Sequence, residues 1–231
     1  GWKIWRIGSD GSGLKQLSFN PRDLYPKINP NGDRLIYMRN MENTANDIRE
    51  NPELSLLNKM IIIDLNGEEL DSICRKEAYS CSPWSYSSWG SDERILHTDG
   101  SYSENTIGIS EYNLTDMTNS EMIFEMKRNN QTSSWSIQDL EHHPNNDLIY
   151  FQDTRGIKTL DPDNGKVRLL KKSCADESYG SFTISGDGEH IIAIKREAWK
   201  DRKNCAVNGE YYFVRMNSNG AKEERIFIPP V

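Results

Sequence analysis

An all-β chain built from four-stranded antiparallel blades is the fold class predicted by this 231-residue sequence. Three observations carry the prediction. Tight hairpin dipeptides recur along the chain, a second kind of polar turn runs each time into an apolar strand, and no long window shows helical periodicity.

The first set of hairpins has five members: Trp2–Ser18, Met60–Ile73, Ile107–Met126, Gly156–Leu170 and Tyr211–Ile228. Four of them turn at Asp10-Gly11, Asn66-Gly67, Asn164-Gly165 and Asn219-Gly220. Asn and Gly accept the positive φ that such turns demand. The third turns over Asn113–Asn119, a longer and less regular connection. The second set has four members: Tyr25–Met38, Trp84–Thr98, Trp135–Phe151 and Gly180–Ile194. In each, a small-polar turn and a charged step precede an apolar run. Those runs, at Leu35, Ile95, Leu148 and Ile191, recur about every forty to sixty residues, the spacing of four-stranded propeller blades. Met41–Asn58 is the one segment with room for a short helix.

With the second set as inner pairs and the first as outer pairs, about four and a half blades are visible in a single propeller domain or propeller fragment over 1–231. The unmatched outer pair leaves two arrangements open: part of a larger ring, which is preferred, or a small ring with unusual closure. A blade without inner strands would lack its share of core.

The stretch from Ile4-Trp5-Arg6-Ile7 through Asp10-Gly11-Ser12 to Leu17, continued by Tyr25–Met38, resembles the TolB-type repeat. Asn29-Pro30-Asn31-Gly32 matches the turn of that family well, and Ser185-Gly186-Asp187-Gly188 less closely. His143-Pro144-Asn145-Asn146 has lost the glycine, and Ser88-Trp89-Gly90-Ser91-Asp92 has drifted further. The resemblance covers nearly the whole chain. It implies a propeller in a periplasmic, cell-surface or secreted setting, and it implies no single activity, because propellers host many.

Composition narrows the partners. With 35% hydrophobic and 27% charged residues the chain reads as globular, and no apolar run approaches a membrane span. The net charge of −7, with no basic stripe, argues against nucleic acid. The sequence begins at Gly1 without an initiator Met, so a signal peptide could have been removed and the sequence cannot show its own targeting signal.

In an antiparallel meander successive connections fall at alternate ends of the sheet. The glycine turns therefore share one face and the longer connections the other: Asn40–Lys59, Cys74–Pro83, Lys127–Ser134, Lys171–Tyr179 and Arg196–Glu210. Long loops on a rigid scaffold are where recognition concentrates. Asp47, Arg49, Trp199, Lys200 and Arg202 are the binding-face candidates among them. All four cysteines, Cys74, Cys81, Cys174 and Cys205, fall in these loops. No CxxC pair or nearby His gives zinc spacing. An even count suits two disulfides in an oxidising compartment, with three pairings open and 74–81 with 174–205 preferred. Four free thiols are the alternative.

No catalytic, metal or cofactor residue is expected. His142 and His143 are adjacent, so on a strand they point to opposite faces, and His143 occupies the turn position of Asn29. His97 and His190 read as ordinary sheet residues, and Asp161 and Asp163 as turn formers. No G-x-S-x-G elbow occurs. Trp5, Trp84 and Trp135 are expected to pack between blades. Asn113 and Asn130 fit the glycosylation sequon, which matters only in a secreted eukaryotic protein. The expected function is a non-catalytic interaction module for a protein or glycan. The rival is the propeller section of a prolyl-oligopeptidase-like hydrolase or of a polysaccharide lyase.

Overall fold

The computed structural model describes residues 3–40, 58–73, 87–101, 106–116, 118–127, 137–173, 177–197 and 210–226. Among these there is no helix. They form four antiparallel four-stranded sheets, the blades of a β-propeller, and one two-stranded sheet.

The two-stranded sheet is β1 (Trp5–Arg6) with β2 (Lys15–Gln16). Blade 1 is β3 (Asp23–Ile28), β4 (Arg34–Asn40), β5 (Asn58–Asp64) and β6 (Glu69–Ile73). Blade 2 is β7 (Ser87–Ser91), β8 (Arg94–Ser101), β9 (Thr106–Asn113) and β10 (Thr118–Lys127). Blade 3 is β11 (Asp139–His142), β12 (Ile149–Asp153), β13 (Gly156–Asp161) and β14 (Lys166–Lys172). Blade 4 is β15 (Glu177–Ile184), β16 (His190–Glu197), β17 (Tyr211–Asn217) and β18 (Glu224–Ile226). Each blade pairs its strands in sequence order, so the four and a half blades counted in the sequence are the four sheets plus the β1–β2 pair. Met41–Asn58, the segment with room for a helix, lies outside the described residues except for its last position.

The chain divides into two compact units, Gly1–Met122 and Ile123–Val231. In the first, blade 1 is apolar on both faces. Leu35, Tyr37, Ile61 and Ile63 join Ile4 and Leu17 of the β1–β2 pair in one cluster. Ile36, Met60 and Ile62 turn the other way and join Trp89, Ile95 and Tyr112 of blade 2. Alternate residues of one strand thus feed two cores, which is why β4 and β5 read as unbroken apolar runs rather than alternating ones. In the second unit, Tyr150 and Ile157 of blade 3 pack with Tyr179, Phe182, Ile191, Ala193, Val214 and Met216 of blade 4. Each fully buried side chain of this size contributes about 1.5–3 kcal/mol.

Polar turns bolt neighbouring blades together. Asn29, buried, accepts from the backbone N–H groups of Asp33 and Arg34 at 3.0 and 2.8 Å. Its side-chain amide donates to Asp33 at 2.8 Å and, in blade 2, to Asp92 at 2.7 Å. Arg34 adds a bond to the Asp92 carbonyl at 2.7 Å and lies over the Trp89 ring. Asn29→Ala strands these buried groups, so its expected cost is about 2 kcal/mol, read as a lowered thermal midpoint. In the second unit His143 does the equivalent work. Asn145 N–H donates to its Nδ1 at 3.1 Å, which leaves the proton on Nε2, 2.9 Å from the Gly188 carbonyl. Its ring stacks on Tyr150. His143 is a turn residue, as its alignment with Asn29 predicts.

Two expectations need refinement. Trp5 does not pack between blades; it is half exposed. Trp89, absent from the set of packing tryptophans, is buried and donates its indole N–H to the Lys27 carbonyl at 2.9 Å. Trp84 and Trp135 lie outside the described residues.

Candidate binding face

Within each blade the first and third connections fall at one end and the connection between the two middle strands at the other. At the loop end of blade 1, Asn40 pairs directly with Asn58, so the connection 41–57 leaves and re-enters through adjacent strands. In blade 2 the neck is Ser101 opposite Thr106. In blade 4 it is Arg196 opposite Tyr211, the root of 198–209. Blade 3 closes the same corner with two residues, Thr154 and Arg155, between Asp153 and Gly156. An antiparallel neck fixes where a loop is anchored whatever its sequence, since the ladder bonds set both ends.

The necks carry charge and aromatic surface. In blade 1 Arg39 forms a two-point ion pair with Asp23, at 2.9 Å from Nε, and also reaches Glu69 at 3.3 Å. Arg39 also donates from Nη2 to the Tyr37 hydroxyl at 2.5 Å. Burial, reinforced by the Asp23 charge, pushes the Tyr37 hydroxyl up to about 12, so it stays protonated. The hydrogen bonds that Arg39 donates to Asp23 hold its guanidinium more firmly charged still. In blade 4 Arg196 lies over the ring of Tyr211, 5.3 Å from its centroid, and Tyr211 is exposed. Lys195 lies over Tyr179 at 5.4 Å and Arg225 over Tyr212 at 4.3 Å. Tyr179 is buried in the core, so the exposed Tyr211 ring, backed by Arg196, is the one of these that suits a sugar ring or a protein side chain.

Of the residues singled out in the sequence, Asp47, Arg49, Trp199, Lys200 and Arg202 lie outside the described residues, as do Cys74, Cys81, Cys174 and Cys205. The structure describes the necks of 41–57, which holds Asp47 and Arg49, and of 198–209, which holds Trp199, Lys200, Arg202 and Cys205. Tyr211 and Arg196 were not picked out by sequence reasoning. The available signal was the Tyr211-Tyr212 doublet directly after a long connection, where a strand start would more often present one face.

One trio of potential metal ligands occurs among the described residues. Asp187, Glu189 and His190 bring ligand atoms within 4.8 Å of one another. They sit at the turn end of blade 4, and the turn itself accounts for them. Ser185 Oγ donates to Asp187 at 2.5 Å and Glu189 N–H at 2.9 Å, and these bonds hold the Asp187 carboxyl below its usual range.

No family model matches the chain, and no curated protein matches it. Solved structures do match in fold. A putative TolB from Agrobacterium tumefaciens superposes with a TM-score of 0.65 at 12% identity, over 96% of this chain and 73% of that one. An oligogalacturonate lyase from Vibrio parahaemolyticus gives 0.53 at 12% identity, over 99% of this chain and 59% of the lyase. An acylaminoacyl peptidase from Pyrococcus horikoshii gives 0.55 at 12% identity, over 96% of this chain and 41% of the peptidase. The chain therefore has the TolB-type propeller fold, and it spans only about half the length of the two enzymes. Similarity at this level of identity establishes the fold alone.

Proposed function

We propose that the chain is a non-catalytic interaction module that presents its loop end to a protein or glycan partner. The observation that carries this reading is the contrast between necks. Blade 3 shows that this scaffold closes the corner with two residues, yet blades 1 and 4 open the same corner into 41–57 and 198–209. Length beyond what closure needs is surface available for recognition. The root of 198–209 already offers an exposed tyrosine backed by an arginine. An extracytoplasmic setting, with Cys74–Cys81 and Cys174–Cys205 joined as disulfides, accords with this reading. Among the described residues no helix is long and apolar enough to cross a membrane.

The test uses the intact chain and a variant whose 41–57 and 198–209 connections are each replaced by Thr-Arg, the linker of blade 3. Circular dichroism first establishes that both fold. Both are then passed over immobilised envelope proteins and over a panel of surface polysaccharides. Retention that falls at least about tenfold in the variant, and substantially in Tyr211→Ala, is the expected result, since one aromatic contact is worth about 1 kcal/mol or more. Equal retention of both chains on every surface would remove the loop end from consideration.

A further inference from the structure

The two-stranded sheet is the outer pair of a blade, and its register against the complete blades is fixed by hydrogen bonds. Gly8 N–H bonds to Ser12 O and Gly11 N–H to Gly8 O, just as Asp64 N–H bonds to Glu68 O and Gly67 N–H to Asp64 O in blade 1. Asn217, Ala221 and Gly220 repeat the pattern in blade 4. The pairing Trp5 with Gln16 then matches Ile61 with Ser72. Trp5 corresponds to Ile61 and Val214, and Ile7 to Ile63 and Met216.

Those counterparts are core residues. Ile61, Ile63, Val214 and Met216 are each 1% exposed because a preceding sheet covers them, whereas Trp5 is 52% and Ile7 57% exposed. The opposite face of blade 4 shows the same contrast. Ile36 and Met60 of blade 1, covered by blade 2, are 0% and 8% exposed; their counterparts Ile192 and Phe213 are 37% and 39% exposed. The exposure of Leu14 decides nothing, since its blade 1 counterpart Leu70 is exposed too. The edge of β1 adds a second kind of opening. In every complete blade the third strand is paired on both sides, but among the described residues β1 is paired only with β2, which leaves its other edge without a ladder partner among them.

We propose that these surfaces are blade interfaces, and that β1–β2 is the outer half of a further blade whose inner hairpin is continuous with it in the polypeptide. The occupant is specified by the molecule itself. In all four complete blades an inner pair runs in sequence directly into the outer pair it adjoins. In three interfaces, β1–β2 with blade 1, blade 1 with blade 2 and blade 3 with blade 4, sheet packs on sheet through these same positions. A hairpin alongside β1 completes the ladder, and further sheets of the same polypeptide, stacked as in those three interfaces, cover Trp5 with Ile7 and Ile192 with Phe213. This inference is independent of what the loop end binds.

The blade 3 connection makes a direct test possible. A copy of residues 137–156, which ends in its own two-residue linker and glycine, is fused in place of residues 1–3, so that it runs into Ile4. Amide exchange over residues 4–7 is compared with that of the unfused chain. Slowing of at least about tenfold is expected as the edge becomes paired, and exchange unchanged at residues 4–7 in a folded fusion would overturn the proposal. Sedimentation of the unfused chain supplies the competing outcome. A monomer at micromolar concentration is expected, whereas self-association abolished by Trp5→Ser with Ile7→Thr would make a second copy the occupant and overturn the continuous hairpin. Should the fusion fail to fold, an apolar dye decides. The unfused chain is expected to enhance its fluorescence, and Trp5→Ser, Ile7→Thr, Ile192→Thr and Phe213→Ser together to reduce that at least about threefold. A wild-type chain without enhancement would overturn the proposal.

Discussion

Glu223→Gln is expected to lower the thermal midpoint at pH 7 by about 5–10 °C, from a loss of about 2–3 kcal/mol. Glu223 lies just before β18 and gathers three donors: Lys195 at 2.5 Å, Tyr179 Oη at 2.6 Å and Lys171 at 2.7 Å. Lys171 belongs to blade 3 and the other two to blade 4, so one carboxylate ties two blades. The side chains of Lys195, Glu223 and Lys171 are only 10%, 18% and 19% exposed. Removing the negative charge leaves two ammonium groups facing each other with little water to screen them. In blade 1 the position of Lys195 is held by Arg39, whose bond to Glu69 is made by a carboxylate 48% exposed, and Glu69→Gln should cost less than about 1 kcal/mol. The pH dependence separates the two further. Burial alone would raise the Glu223 carboxyl, but the bonds from Lys171, Lys195 and Tyr179 outweigh it and lower it from 4.5 to about 2. Between those values the unfolded chain binds the proton and the native chain does not. The stabilisation is therefore complete above about pH 4.5 and is lost as pH falls towards 2. Thermal midpoints measured across that interval should fall steeply in the wild type and flatten in Glu223→Gln; parallel curves would show that the carboxylate is not what couples the blades to acid.

The blade count and pairing order were legible because two local signals repeat. Asn66-Gly67 and Asn219-Gly220 mark outer turns, and the runs at Leu35 and Ile191 mark second strands, whatever the rest of the blade does. Turn assignment survived the loss of glycine at Asn145-Asn146, because His143 aligned with Asn29 through the strand that follows. What bonds to what across blades was not legible. Asn29 with Asp92 and Glu223 with Lys171 are separated by 63 and 52 residues, and no spacing rule links side chains through stacked sheets. The exposure of Trp5 was hidden for a different reason. Its sequence neighbourhood matches buried counterparts, and burial depends on a neighbouring sheet rather than on the local pattern. At the loop end, length alone pointed to a binding face. The charge and aromatic character of the necks depended on Arg196 and Tyr211 being cross-strand partners, which needs the register.

Gly156→Ala should be among the most damaging single-methyl additions in the chain, costing about 3–5 kcal/mol and shifting the midpoint by about 10 °C. Gly156 opens β13 directly after the two-residue linker, with φ at +129°, a conformation that side chains rarely adopt. A methyl group there would lie 1.9 Å from the Lys171 carbonyl oxygen and 2.7 Å from the Ser173 amide nitrogen. Both obstacles are backbone, so no rotamer change relieves them. Moving them breaks the bond from Ser173 N–H to Arg155 O at 2.7 Å, and Ser173 Oγ in turn accepts from Tyr179 N–H at 3.1 Å. The damage therefore runs from the closed corner of blade 3 into β15, next to the Tyr179 that donates to Glu223. Gly165→Ala is the matched control. It too has positive φ, at +67°, but nothing lies within 4 Å of the added carbon, so the expected cost is about 1 kcal/mol of backbone strain. If the two variants melt together, conformational strain rather than backbone crowding sets the requirement for glycine. A gap of several degrees, with early loss of amide protection at Tyr179 in Gly156→Ala alone, identifies the tight corner as the point where blade 3 is locked to blade 4.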